Sequence, residues 1–246
     1  MNFNYLQALI IPDSVTKIGK YAFSRCKSLS EINIPNSVTG IGNFAFFYCL
    51  SLSKVIIPNS VTEIGLSTFC RCTSLKKVVI PDSVTEIGYS TFNGCTSLKE
   101  VHIPDSVTEI GDCAFDGCTS LKEVHIPDSV RKIGDFAFSG CTSVHFIVDA
   151  GNEFYCSVSG ALFDKEKETL ISGYALVQDG VCVIPDSVTE IGWHAFEGCT
   201  SLKEVHIPDS VTEIGRYAFE DCNSAYFTVD PDNRHYYSQS GKLIER

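Results

Sequence analysis

Ile103-Pro-Asp-Ser-Val-Thr-Glu-Ile-Gly111 is the clearest copy of a motif that recurs along this chain of 246 residues. Eight of the nine prolines occupy the second position of the motif, and most follow one another at a step of 23 residues. These prolines are Pro12, Pro35, Pro58, Pro81, Pro104, Pro127, Pro185 and Pro208. A fixed period between about 20 and 50 residues is typical of a stacked solenoid. The sequence therefore predicts a solenoid in which each turn holds one copy.

Each copy begins with a strand pattern and then a corner. In the turn from Cys95 to Gly117, apolar Val101 and Ile103 alternate with polar Glu100 and His102, as they would in a half-buried strand. The proline that follows cannot donate a ladder hydrogen bond, and the Asp-Ser pair after it can bond its own backbone. We therefore predict a strand that ends in a turn, repeated along a parallel ladder.

The second half of the copy predicts a shorter strand and then a helical piece. Val107 and Ile110 indicate a second extended segment, and Gly111 is suited to a bend or a positive φ. Ala114, Phe115 and the following Cys fall at helical spacing, which predicts one or two turns of α- or 3-10 helix over residues 112–117. A phenylalanine at the same position of each copy should form a stacked core: Phe23, Phe46, Phe69, Phe92, Phe115, Phe138, Phe196 and Phe219.

The pattern resembles the BspA-type (Treponema-pallidum-like) class of leucine-rich repeats, C-x-x-L-x-x-I-x-I-P-x-x-V-x-x-I-G-x-x-A-F, over residues 5–148 and 182–229. It departs from the commoner leucine-rich repeat because Ser106 stands where Asn or Cys would follow the strand. The resemblance implies a right-handed α/β solenoid. It also implies a class of bacterial and protist surface proteins that adhere to host matrix proteins, host cells or other microbes.

Composition argues against several classes of partner. The formal net charge is -11, and the longest basic features are pairs such as Lys76-Lys77 and Arg131-Lys132, so nucleic acid is not an expected partner. No segment reaches the about 18 apolar residues of a membrane span, and the first residues lack the pattern of a signal peptide.

Twelve cysteines could indicate a disulfide framework, but eight share one position of the repeat. They are Cys26, Cys49, Cys72, Cys95, Cys118, Cys141, Cys199 and Cys222. A column of parallel side chains rarely meets disulfide geometry, and the paired C-x₂₋₄-C spacing of a zinc site is missing. We therefore expect buried free thiols that act as small apolar groups, without a metal or other cofactor.

The spacing between Pro127 and Pro185 exceeds two periods by twelve residues, which indicates an insertion on the seventh turn. Within it, Gly160–Phe163 and Thr169–Ile171 flank a charged Lys-Glu-Lys-Glu stretch, as in a β-hairpin. The predicted organisation is a solenoid over 1–148, a hairpin island over 149–181, two further turns over 182–229, and a second island starting at 230–246. The second island stops within its hairpin, so we expect a fragment or a chain whose ends another chain covers, with end-to-end self-association as one form of this.

The outward positions of the strands are the candidate binding residues, because solenoids commonly use extended surfaces for contact. This predicted strand face grades from an apolar and basic strip to His and Glu pairs: Asn33, Lys54, Ile56, Lys77, Val79, Glu100, His102, Glu123, His125, Glu204 and His206. A second candidate is an aromatic patch of Phe44, Phe47 and Tyr48, where other copies have small or polar residues.

The His and Glu residues could also form a zinc-binding or acid–base ladder. Copying of repeat units explains them more simply, because residues 95–111 and 199–215 are identical, and no phosphate loop, nucleophile elbow or His-Glu-x-x-His helix is present.

The leading hypothesis is a non-enzymatic protein-binding module of a cell-surface or secreted adhesin that contacts host matrix or cell-surface proteins. An intracellular scaffold, favoured by the free thiols, is the alternative. A metal-dependent enzyme is the third hypothesis.

Overall fold

Two columns of short parallel strands run through residues 7–246, the part of the chain that the computed structural model describes. The start of the predicted first turn, residues 5 and 6, lies outside this part. The first column contains β1 (Ala8–Ile10), β3 (Glu31–Asn33), β5 (Lys54–Ile56), β7 (Lys77–Val79), β9 (Glu100–His102), β11 (Glu123–Ile126), β13 (His145–Val148), β17 (Val181–Val183), β19 (Glu204–Ile207) and β21 (Tyr226–Val229). The second contains β2 (Lys17–Ile18), β4 (Gly40–Ile41), β6 (Glu63–Ile64), β8 (Glu86–Ile87), β10 (Glu109–Ile110), β12 (Lys132–Ile133), β18 (Glu190–Ile191) and β20 (Glu213–Ile214).

The register of both columns follows the sequence period. In the regular turns each residue lies beside the one 23 positions later, as Lys77 does with Glu100 and Val79 with His102. The offset is 22 at β13 and β21, where Glu123 pairs with His145 and Glu204 with Tyr226. We number the turns by their first-column strands, so that β9 opens turn 5, β11 turn 6, β13 turn 7, β17 turn 8 and β19 turn 9. The predicted parallel solenoid is confirmed.

The core lies between the two columns and a third side of each turn, here called the closing segment (residues 111–118 in turn 5). Phe115 is fully buried, and its ring stacks between those of Phe92 and Phe138 at centroid distances of 5.4 and 5.3 Å. Apolar burial of this kind is the main stabilising term. No turn can bury its phenylalanine alone, because the two ring faces are covered by neighbouring turns.

The predicted helix over 112–117 is wrong, because the closing segment forms a run of hydrogen-bonded turns instead. N–H groups alternate between an i−3 acceptor within the turn, as in Ala114 to Gly111, and an acceptor in the next turn, as in Phe115 to Ala137. A helix cannot form because Cys113 and Gly117 have positive φ values of 55° and 70°. About half of the backbone N–H groups of the closing segment thus join it to the next turn.

In most turns the glycine that ends the second strand is required by close approach rather than by a positive φ, although Gly19 is not crowded in this way. A Cβ on Gly134 would lie 2.5 Å from the backbone nitrogen of Asp112 in the preceding turn. The positive φ values fall instead two and six residues after this glycine, on side-chain-bearing residues such as Phe44 and Tyr48.

All twelve cysteines are free thiols, and the predicted column is buried. The Cys95 Sγ donates to the carbonyl of Phe69 at 3.2 Å, and the Cys118 Sγ donates in the same way to Phe92 at 3.3 Å. Burial raises the pKa of the Cys49 thiol to about 12. The Cys49 thiol therefore stays protonated, and the Cys95 and Cys118 thiols join neighbouring turns by weak hydrogen bonds.

Turn 7 contains the island. After β13 come the antiparallel strands β14 (Tyr155–Val158), β15 (Ala161–Asp164) and β16 (Thr169–Ser172), and then a 3-10 helix at Tyr174–Leu176. β16 rejoins the second column by parallel pairing with β18. The predicted hairpin is confirmed, and β14 adds a strand that the sequence reasoning did not anticipate.

A second, shorter copy of this arrangement follows turn 9, where β22 (Tyr236–Gln239) pairs with β23 (Lys242–Glu245). Asn152 and Asn233 hold the loops that enter the two islands. The buried Asn152 amide donates to the carbonyls of Pro127 and Val130, and its oxygen accepts two backbone N–H groups. These loops are turns with satisfied polar groups.

Candidate binding surface on the strand face

The strand face consists of the outward side chains of the first column. Its apolar strip is open to solvent: Ile56 is 58% exposed and Val79 is 51% exposed. Lys54 and Lys77, two residues earlier on the same strands, are also exposed. Exposed β-branched side chains beside lysine form a surface with both apolar area and positive charge.

Neighbouring strands modify this strip. Asn33 lies beside Ile56 in register, with Ile10 on its other side. The Lys77 Nζ lies 2.8 Å from Glu100 Oε2, and this hydrogen bond and charge hold the pKa of Glu100 below its ordinary value. Lys54 has no such ion pair within residues 7–246, although Glu31 lies beside it in register.

The three predicted His–Glu pairs differ. His206 Nε2 lies 3.2 Å from Glu204 Oε1, and its Nδ1 lies 2.7 Å from Thr228 Oγ1. His125 turns away from Glu123 and bonds Asp149 at 2.7 Å.

His102 is exposed, and within residues 7–246 it has no hydrogen-bond partner. Glu100 and Glu123 lie side by side in the ladder. Of the three predicted His–Glu pairs the structure therefore assembles one, in turn 9, and the described residues form no continuous ladder on the strand face.

The aromatic patch forms on the closing segments of turns 1 and 2. Phe44 packs edge-on against Phe47 at 5.9 Å, and Phe47 contacts Tyr48 at 5.8 Å. Tyr21, which the sequence reasoning missed, stacks on Phe44 at 5.0 Å. The Lys27 ammonium lies 5.7 Å from the Tyr48 ring centroid. The predicted three residues are neighbours and belong to a larger cluster.

A further aromatic cluster joins the closing segments of turns 6, 8 and 9. The Phe136 ring meets His194 at 4.4 Å and Trp193 at 6.1 Å, and Tyr217 lies 5.1 Å from His194. Phe136, His194 and Tyr217 share the repeat position of Tyr21 and Phe44. Aligning that one position across all copies would have revealed both clusters.

Three side chains near this cluster have donor atoms within 4.8 Å of one another and could hold a metal ion: His194, Glu197 and Glu220. His194 Nδ1 lies 2.5 Å from Glu197 Oε2, and Ser139 Oγ donates to the same oxygen. Burial raises the pKa of nearby Asp116, and the Glu197 charge adds to that effect. These hydrogen bonds account for the grouping of His194 and Glu197 without an ion.

Within residues 7–246 there is no helix with the length and apolar character that a membrane span requires. Stacked turns with a parallel strand column and an open strand face define the class: leucine-rich repeat proteins. The chain matches the family described as "BspA type Leucine rich repeat region" in six copies, over residues 1–122, 63–155 and 181–240. It belongs to this BspA-type leucine-rich repeat family.

Solved structures agree with this assignment. A leucine rich cell surface protein from Faecalibacterium prausnitzii A2-165 is 37% identical, with a TM-score of 0.82, over 92% of this chain and 62% of that protein. A leucine-rich repeat protein from Bacteroides ovatus is 29% identical (TM-score 0.62), over 92% of this chain and 67% of that one. The pneumococcal vaccine antigen PcpA is 26% identical (TM-score 0.59), over 87% and 48%. The chain thus spans about three fifths of the Faecalibacterium protein. No curated protein matches.

Proposed function

We propose that this chain is a non-enzymatic protein-binding module of a cell-surface protein and that the strand face is its contact surface. The observation that carries the proposal is the exposed strip of Ile56 and Val79 beside Lys54, because an exposed apolar cluster bordered by charge is typical of a protein contact site. The similarity to a leucine rich cell surface protein supports the location. Host matrix or host-cell proteins are the proposed ligands.

The remaining strand-face residues extend this surface. Asn33 and Lys77 border the strip, and the Glu and His residues of turns 5, 6 and 9 provide polar contacts at its far end. The aromatic patch of Phe44, Phe47 and Tyr48 is a second proposed contact, since aromatic residues are enriched at interfaces. An intracellular scaffold remains the alternative function, and the twelve free thiols favour it, because a reducing compartment preserves thiols.

The test is binding of the chain to immobilised collagens, laminin and fibronectin. Ile56→Asp should lower binding at least tenfold, because it places a charge in the apolar strip. Val183→Asp is the matched control, since Val183 occupies the same strand position in turn 8 and is 63% exposed. Equal losses in both variants, with unchanged unfolding midpoints, would refute the proposed location. Absence of binding to every host protein would favour the scaffold.

A further inference from the structure

The stack of closing segments is interrupted after turn 6. In turn 5 the N–H groups of Cys113 and Phe115 donate to carbonyls of turn 6 at 2.9 and 2.8 Å. The equivalent donors of turn 6 are the N–H groups of Phe136 and Phe138, and neither has an acceptor among the described residues. Phe138 is buried, and buried backbone donors are nearly always paired, so these two free donors mark the place where an accepting closing segment is missing.

The cause is the island in turn 7. In place of a regular closing segment, turn 7 supplies Gly173 and Tyr174. A Cβ on Gly173 would lie 2.2 Å from the ring of Phe196, so a phenylalanine cannot continue the stack there. The Tyr174 hydroxyl accepts from the N–H of Gly140 and donates to the carbonyl of Glu197, both at 2.9 Å. Side chains thereby join turns 6 and 8, as the Phe136 ring also does against His194, but within residues 7–246 no backbone hydrogen bond links their two closing segments.

A cavity of about 320 Å³ lies in the resulting space. Phe136, Tyr155 and Trp193 contribute aromatic walls, and Trp193 is half exposed. Ser172 also lines the cavity. It is only 3% exposed, and its hydroxyl has no hydrogen-bond partner among residues 7–246. A buried hydroxyl without a partner costs free energy, and a ligand group that bonds it would relieve that cost.

The charged groups of the cavity wall are acidic. Asp135 and Glu190 line it, and no lysine or arginine within residues 7–246 does. Burial raises the pKa of Glu190, and the charges of Glu213 and Asp164 add to the effect. The single basic side chain, His194, is already hydrogen-bonded to Glu197. A cation is therefore favoured in this cavity by both the carboxylates and the aromatic faces.

We propose that the cavity between turns 6 and 8 binds a short peptide that carries a lysine or arginine side chain. Two carbonyls of the peptide, spaced like those of Asp135 and Ala137 in turn 6, accept from the N–H groups of Phe136 and Phe138. The cationic side chain lies against Trp193 and pairs with Glu190. The peptide thus takes the place of the missing closing segment, as in recognition by added strands.

The backbone donors decide in favour of a peptide over a free organic cation. A cation satisfies the carboxylates and the aromatic faces, yet it leaves both N–H groups and the Ser172 hydroxyl without an acceptor. A peptide provides carbonyl oxygens for all three. The site is separate from the strand face, so it stands or falls independently of the function proposed above.

Trp193 is the one tryptophan of the chain, so its fluorescence reports directly on the cavity. The probes are the blocked tripeptides acetyl-Ala-X-Ala-amide with X as Lys, Arg, norleucine or Glu. The lysine and arginine peptides should change Trp193 emission saturably. Norleucine, which has the length of lysine without its charge, should bind at least tenfold more weakly, and the Glu peptide more weakly still.

Glu190→Gln should weaken binding of the lysine peptide at least tenfold. Its matched control is Glu213→Gln, because Glu213 pairs with Glu190 in register on the next turn and does not line the cavity. Methylammonium should bind at least tenfold more weakly than the lysine peptide. Absence of saturation by the lysine and arginine peptides, equal binding of norleucine or of methylammonium, or an equal loss in Glu213→Gln would each overturn the proposal. Ile56→Asp should leave peptide binding unchanged.

Discussion

Residues 95–111 in turns 4 and 5 and residues 199–215 in turns 8 and 9 have the same sequence, yet they make different contacts. In the first copy, Glu100 bonds Lys77, and the Ser106 hydroxyl donates to the carbonyl of Val84 at 2.6 Å. In the second copy, Glu204 pairs with His206, and the buried Ser210 hydroxyl has no partner among the described residues. Side-chain partners in this solenoid are therefore set by the neighbouring turn.

The preceding turn explains the difference between the two glutamates. Turn 4 is regular, so β7 offers Lys77 to Glu100 and turn 4 presents the Val84 carbonyl to Ser106. Turn 8 follows the island, and β17 presents Val181 beside Glu204. With no lysine opposite it, Glu204 pairs with the histidine of its own strand. The side chains of Glu100 and Ser106 thus both bond the preceding turn, whereas within residues 7–246 those of Glu204 and Ser210 do not.

The largest expected difference in stability concerns the phenylalanine that follows each of the two identical segments, Phe115 after the first and Phe219 after the second. Phe115→Ala should destabilise the protein by about 3–5 kcal/mol, as for other fully buried aromatics. Phe219→Ala should cost clearly less, because Phe219 is only half-buried, with its ring stacked on Phe196 at 5.1 Å and edge-on to Phe227 at 5.0 Å. Urea unfolding followed by circular dichroism measures both. Equal losses, or an unchanged midpoint for Phe115→Ala, would contradict the inferred difference in packing.

The fold was predictable because a 23-residue period and an alternating pattern leave few alternatives to a parallel stack. The closing segment was not. Its i, i+3 spacing is helical, but Cys113 adopts a positive φ because its N–H bonds the next turn. That choice depends on stacking and leaves no local trace in residue type.

The candidate surfaces were predictable to different degrees. Alternation correctly placed Ile56 and Val79 on the outside, since exposure on a strand follows from periodicity alone. Histidine partners could not be inferred, because His102 and His206 lie in identical segments. The cavity beside Trp193 was also out of reach, since it arises where an island prevents one closing segment from forming.

Replacing each of the two serines by alanine should change the stability in opposite directions, and by less than Phe115→Ala does. Ser106→Ala should cost about 1–3 kcal/mol, because it removes a hydrogen bond and leaves the Val84 carbonyl without that donor. Ser210→Ala should be neutral or stabilising, since it removes a buried hydroxyl that lacks a partner. Urea unfolding again measures the difference. A loss in Ser210→Ala as large as that in Ser106→Ala would mean that Ser210 has a partner in solution.

The smallest effect is electrostatic. Lys77 lowers the pKa of Glu100, so the ion pair stabilises the fold above the ordinary pKa of a glutamate, and this contribution is lost as the pH falls through the lowered value. Lys77→Met should return the pKa of Glu100 to its ordinary range in an NMR titration. Lys54→Met is the control, because Lys54 is equally exposed on the adjacent strand and forms no ion pair with Glu100. If both variants shift the Glu100 titration equally, the general positive charge of the strip would be responsible rather than the contact with Lys77. The contact between Lys77 and Glu100 would then exist in the structure without itself lowering the pKa of Glu100.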